Sequence, residues 1–236
     1  MKTVFGKFVT ACAMTLIVAT VGQADLISEF ESNPPGGDPP TTDIELSGTP
    51  GASFSGYLTF IDTDATTTGQ INSSDFVSGT YNASGIAVVT LGLDVENPSF
   101  TLVFSSAQPL DDVDADDDDI LDDPAVFGTV FDAIGIIDAT GDATNYASVL
   151  GGVEFSEANE FEIVFRDGST GQFFGVDTFS GEIFDTNGPI FGAFTGGNPR
   201  ATSFGSVNPS FAGVPEPGTF AVLAACAGLV AVRRRK

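Results

Sequence analysis

The stretch that decides the fold is FEIVFRDGSTGQFFGV, residues 161–176. Two short apolar runs, Phe161-Glu162-Ile163-Val164-Phe165 and Gln172-Phe173-Phe174-Gly175-Val176, flank Arg166-Asp167-Gly168-Ser169-Thr170-Gly171. β-Branched and aromatic side chains suit a pleated surface and Asp-Gly suits a tight turn, so the stretch reads as a hairpin. Arg166, one of few cations, is expected to pair with a nearby carboxylate. Similar runs recur at Tyr57-Leu58-Thr59-Phe60-Ile61, Ile86-Ala87-Val88-Val89-Thr90-Leu91 and Phe100-Thr101-Leu102-Val103-Phe104. Asn33-Pro34, Asn187-Gly188 and Asn208-Pro209 punctuate them as turn signals. No helical stripe stands out between Asp25 and Gly213, and the 22 Phe supply core volume without polar atoms. The expected fold is all-β, an antiparallel β-sandwich. Phe127 to Ile137 fits a short helix or another strand.

Composition narrows the chemistry. The 236 residues carry 32 acids against 8 Lys and Arg, a formal charge of −24. Between Asp25 and Gly213 stand 31 acids and only two cations, Arg166 and Arg200, so this body carries −29. Such a surface repels phosphate backbones, which argues against nucleic acid as a partner and for cations. The absence of His excludes imidazole acid–base catalysis, His-based triads and imidazole zinc sites. Both cysteines, Cys12 and Cys226, lie in terminal apolar segments, so the body holds together without a disulfide. It is long enough for one domain with its own core.

The two ends read as addresses. Residues 1–24 place Lys2 and Lys7 before an apolar run from Phe8 to Val21, and small residues lead to a cleavage point between Ala24 and Asp25. This is the pattern of a secretory signal peptide, and export through the Sec translocon is expected. At the other end, residues 214–236 read VPEPGTFAVLAACAGLVAVRRRK. An uncharged run from Gly218 to Val232 would span roughly 22 Å as a helix at about 1.5 Å per residue. That is short for a hydrocarbon core of about 30 Å, and snorkelling Arg side chains make up the difference. Arg233, Arg234, Arg235 and Lys236 would hold the tip on the cytoplasmic side of the inner membrane.

Val214-Pro215-Glu216-Pro217, the apolar run and the arginine cluster, in that order, resemble the PEP-CTERM sorting signal of exopolysaccharide-producing Gram-negative bacteria. The resemblance implies removal of the tail by an exosortase, with the body released or attached at the cell surface. Cys226 would then belong to the discarded tail. A second resemblance covers the first third of the body. Leu26-Ile27-Ser28-Glu29-Phe30, Asn33-Pro34, Asp43-Ile44-Glu45-Leu46 and Phe54-Ser55-Gly56-Tyr57-Leu58 look like the opening of a lamin-tail domain. That family implies an immunoglobulin-like sandwich serving as a binding or scaffolding module. Ser47-Gly48 depart from the aromatic and Asn that usually continue its Glu-Leu strand.

The acidic loop, residues 111–123 within QPLDDVDADDDDILDDPAV, is the sharpest chemical signal in the body. With Asp114 in first position, acids fall at Asp116, Asp118 and Asp122, Ile120 would offer its carbonyl, and Leu121 takes the usual apolar place. This resembles the D-x-D-x-D-G-x-x-D spacing of EF-hand, dockerin and thrombospondin type 3 calcium loops. Asp119 stands where Gly is usual, and Ala125 replaces the bidentate Glu, leaving Asp122 or Asp123 to substitute. Ca²⁺ is the expected ligand, with an affinity of about 10⁻⁴–10⁻³ M; the alternative is a solvated loop that keeps the protein soluble. Two other functions compete with a non-enzymatic surface or extracellular polymer role. An extracellular hydrolase could use paired carboxylates, Glu29 with Glu45 or Glu154 with Glu157. A carbohydrate-binding module would stack exposed aromatics on sugars, a reading weakened by the absence of Trp and only three Tyr.

Overall fold

A computed structural model describes residues 24–33, 40–64, 67–92, 99–110, 112–142 and 145–213. Most of the expected signal peptide and the whole of 214–236, with the proposed membrane helix, lie outside them. Among the described residues no helix is long and apolar enough to cross a membrane. The first half supplies β1 (Leu26–Glu31), β2 (Thr42–Ser47), β3 (Ser53–Asp62), β4 (Ile71–Thr80), β5 (Ile86–Leu91) and β6 (Phe100–Ser105). A short 3-10 helix (Pro124–Phe127) precedes β7 (Val130–Ile136), α1 (Asn145–Val149) and β8 (Val153–Glu154). Then follow β9 (Ile163–Arg166), β10 (Phe173–Asp177), β11 (Glu182–Asp185), β12 (Gly188–Ile190), β13 (Phe194–Thr195) and β14 (Ser210–Phe211).

The expected hairpin is β9 and β10, paired from Arg166↔Phe173 to Ile163↔Val176. Asp167 builds its turn: Oδ1 accepts from Ser169 N–H and Thr170 N–H, both at 2.7 Å. Burial pushes the Asp167 carboxyl up, but the donors from Phe211, Thr170 and Ser169 outweigh it and hold it below its ordinary value. The hairpin sits within a seven-stranded sheet, β12-β11-β10-β9-β1-β2-β5, which faces a five-stranded sheet, β4-β3-β6-β7-β8. Among the described residues every pairing is antiparallel except β7 with β8, which run parallel across the crossover containing α1.

Alternation places three apolar layers. Ile27, Phe30, Ile44 and Leu46 meet Leu58, Phe60, Leu102, Phe104 and Ile134 between the sheets. Ile163, Phe165, Phe174 and Val176 form a second layer with Phe194 and Phe211 of the β13–β14 hairpin. The third unites Ile61, Val103 and Ala133 with Tyr146, Phe127, Val113 and Leu121. The Phe127–Ile137 ambiguity resolves as a helical turn ending at Phe127, then strand β7. Ile134 joins the central layer and Ala133 the third, so β7 is buried on both faces and its apolar run shows no period. Arg166 pairs with Asp132 of β7 at 2.5 Å, tying one sheet to the other, and its guanidinium lies 4.0 Å over the Phe173 ring.

Candidate metal centre

The acidic loop is anchored on the five-stranded sheet by its own two apolar residues. Val113 and Leu121 are buried in the third layer, and the backbone closes between them through Asp122 N–H to Val113 O at 2.9 Å. Between these anchors the chain must turn tightly. Asp117 and Asp119 adopt left-handed φ of 53° and 65°, and Asp119 does so where calcium loops place Gly. Asp tolerates this region better than most residues, so the substitution does not prevent the turn.

Asp114, Asp116 and Asp118 converge, each offering a carboxylate oxygen, with these oxygens all within 4.8 Å of one another. Ca²⁺–oxygen distances of about 2.3–2.6 Å put oxygens on opposite sides of one ion roughly 4.6–5.2 Å apart, so the spread suits a single ion. Asp114 is fully buried and fixed: Oδ2 accepts from the Tyr146 hydroxyl at 2.6 Å and Oδ1 from Asp118 N–H at 3.1 Å. Asp116 and Asp118 are exposed. The charge of Asp118, then slight desolvation, then the charges of Asp122 and Asp114 hold the Asp116 carboxyl above its ordinary value. That mutual repulsion is what a divalent cation would relieve.

The remaining expected ligands are placed differently. Asp122 lies outside the convergent set, turns back to accept from Ala115 N–H at 3.0 Å, and adds its charge to Asp116. Ile120 donates its N–H to Asp118 Oδ1 at 3.1 Å, while its side chain is exposed. Asp123 caps the 3-10 helix by accepting from Ala125 N–H at 2.9 Å, so Asp122 is the acid left to stand in for the missing Glu.

Two supporting residues escape sequence reasoning. Tyr146 sits 32 residues beyond Asp114, and no local spacing links them. Gly69, with φ of +83°, accepts from Val113 N–H at 2.9 Å and lies so close that an added Cβ would meet Asp114 Cβ at 2.5 Å. Only Gly allows that approach, but one Gly among 28 carries no such message in the sequence.

Of the four carboxylates that could serve hydrolysis, Glu29, Glu45 and Glu154 accept hydrogen bonds within the fold. Glu29 and Glu45 face each other in register on β1 and β2, both buried. Glu29 accepts from Ser203 N–H and hydroxyl, and Glu45 from the Ser28 hydroxyl at 2.8 Å and Gly205 N–H at 2.7 Å. Asn208 completes the network by donating to Ser28 O and Arg166 O. The pair thus fastens the 203–208 strap to the seven-stranded sheet. Burial, reinforced by Glu29 and opposed by the Ser28 and Gly205 donors, pushes the Glu45 carboxyl up to about 7. Glu29 is raised as well, again chiefly by burial. Glu154 instead accepts from Ser148 N–H on α1 at 3.0 Å, and Glu157 lies close to Gly188.

At the start of the described fold, Ala24 is exposed and Asp25 accepts from the Tyr81 hydroxyl at 2.9 Å. Val214, Pro215, Glu216, Pro217, Arg233, Arg234 and Arg235 lie outside the described residues. Compared with known proteins, the chain matches no family model, no curated protein and no solved structure.

Proposed function

We propose that this chain is a non-enzymatic, exported surface or extracellular-matrix protein whose acidic loop binds Ca²⁺. The observation that carries the calcium reading is the convergence of Asp114, Asp116 and Asp118 oxygens on one point. Asp114, Asp116 and Asp118 would hold the ion, with Asp122 beside them. Bound there, Ca²⁺ supplies charge neutralisation and stiffens the loop against the sandwich. Asp114 positions the cluster because Tyr146 and Gly69 leave it no freedom.

The export half of the proposal rests on the ends. Residues 1–24 and the PEP-CTERM-like residues 214–236 support passage through the Sec translocon, transient anchorage in the inner membrane and processing by an exosortase. The body would serve extracellular polymer or biofilm structure as an immunoglobulin-like, lamin-tail-like module, released or attached at the surface. Thermal unfolding in EDTA and in millimolar CaCl₂ tests the ion, and the intact mass of the protein recovered from outside producing cells tests the processing. A calcium-dependent rise in melting temperature and a mass lacking both ends are expected. An unchanged melting temperature sinks the first half, and an intact full-length chain in the cytosol sinks the second.

A further inference from the structure

The cations of the body are unequally employed. Arg166 is mostly buried and committed to Asp132, Ile27 O and Gly171 O. Arg200 is therefore the one exposed cation among the described residues, on a body carrying −29. Its guanidinium is held in place: Nε and Nη2 both donate to Gly181 O, at 3.1 and 2.6 Å, and the backbone N–H of Arg200 donates to Asn198 Oδ1 at 3.1 Å. One edge of the planar group is thereby used for positioning. The opposite edge, Nη1 with the second N–H of Nη2, makes no hydrogen bond among the described residues and presents the fork that matches a carboxylate.

Arg200 lines a cleft of about 200 Å³ at the β11–β12 end of the seven-stranded sheet, with Glu182, Pro189, Ile190 and Phe191. Phe191 is 80% exposed, and Phe179, on the turn that ends at Gly181, is 79% exposed. Phe191, an aromatic ring left this open in the same cleft as a pinned guanidinium, makes a recognition surface of three chemistries. The fork calls for a planar anion, the ring face for an apolar C–H surface, and the Glu182 carboxylate for hydroxyl donors. A carboxylated sugar ring carries all three.

We propose that the Arg200–Phe191 cleft binds a uronic acid residue of an acidic polysaccharide. Arg200 takes the sugar carboxylate bidentately, Phe191 stacks on the ring, and Glu182 accepts from ring hydroxyls. The assignment gives a ligand to the matrix role proposed above and relies on it for its setting, but the cleft shares no residue with the calcium cluster. A chelator can therefore silence the loop while the cleft is measured. The rest of the body opposes a polyanion, so binding strengthens as moderate salt screens that repulsion.

The test is calorimetric titration of the purified full chain with tetragalacturonate in EDTA, alongside its methyl-esterified form, which removes the charge and caps one carboxylate oxygen with a methyl group. Saturable binding of the acid is expected, weakened about tenfold by esterification and by Arg200→Gln. Arg200→Lys, which keeps the charge but loses the fork, is expected to weaken it comparably. Phe191→Ala removes an exposed side chain without disturbing the core, and a loss of about fivefold is expected at unchanged melting temperature. Equal affinity for the ester, no loss in any variant, or no binding of either oligomer overturns the proposal. Self-association by sedimentation that Arg200→Gln abolishes assigns the cleft to an acidic patch of a second copy and overturns it too.

Discussion

Replacing Glu45 by Gln should make the fold more stable at alkaline pH and reduce its pH dependence near neutrality. Glu45 is fully buried, with its carboxyl raised from 4.5 to about 7, mainly by burial. In the unfolded chain it ionises in the ordinary carboxylate range, so below that range both states hold the proton and the raised value favours the fold fully. As pH rises toward 7 the unfolded chain gives up its proton while the folded chain keeps it, and the advantage shrinks until it is gone above 7. For a difference of about 2.5 units, the loss between pH 5.5 and pH 8 works out at about 2 kcal/mol. A domain of this size would show it as roughly 4–8 °C of melting temperature. Urea unfolding at the two pH values, in EDTA so that the acidic loop is not loaded, reads the effect directly. The wild type should lose about 2 kcal/mol on going to pH 8 and Glu45→Gln distinctly less, because Gln does not ionise, while its side-chain oxygen can still accept from Gly205. A wild type equally stable at both pH values, or a variant that loses as much, would show that Glu45 keeps no proton on folding.

Three further substitutions probe the supports of the acidic loop and the tie between the two sheets. Gly69→Ala combines a φ of +83° with a Cβ 2.5 Å from Asp114, and about 2–4 kcal/mol of stability should disappear in urea unfolding, with calcium affinity falling alongside. Asp132→Asn leaves the buried Arg166 guanidinium without its charge partner and should cost about 2–4 kcal/mol, read as a lower denaturation midpoint. Tyr146→Phe deletes the hydroxyl bond to Asp114 and should cost about 1 kcal/mol of stability, while weakening calcium binding in calorimetry about fivefold.

How much of this could be read from the chain follows from where the information is local. The β9–β10 hairpin was legible because its apolar runs and its Asp-Gly turn lie within sixteen residues. Strand β4, INSSDFVSGT, was not: its polar face is open to solvent and only Val77 is buried, so its pattern resembles a loop. It becomes a strand because ten residues of β3 offer it a ladder. The spacing of Asp114, Asp116 and Asp118 announced their convergence, since alternate residues of a tight loop share a side. Their support did not show, because Tyr146 and Gly69 reach the loop through tertiary packing. The same is true of Glu29 and Glu45, whose partners Ser203 and Gly205 lie 174 and 160 residues away. As isolated acids on strands they read as candidate catalytic groups. Only the fold of the strap over them reveals a buried fastening.

Calorimetric titration of the full chain with CaCl₂ tests without intermediaries whether the convergent carboxylates form a calcium site. One ion per chain is predicted, with a dissociation constant of about 10⁻⁴–10⁻³ M, weakened about tenfold by Asp116→Asn, which alters an exposed ligand and leaves the core intact. No saturable heat up to millimolar Ca²⁺, or the same affinity in the variant, would rule the calcium site out.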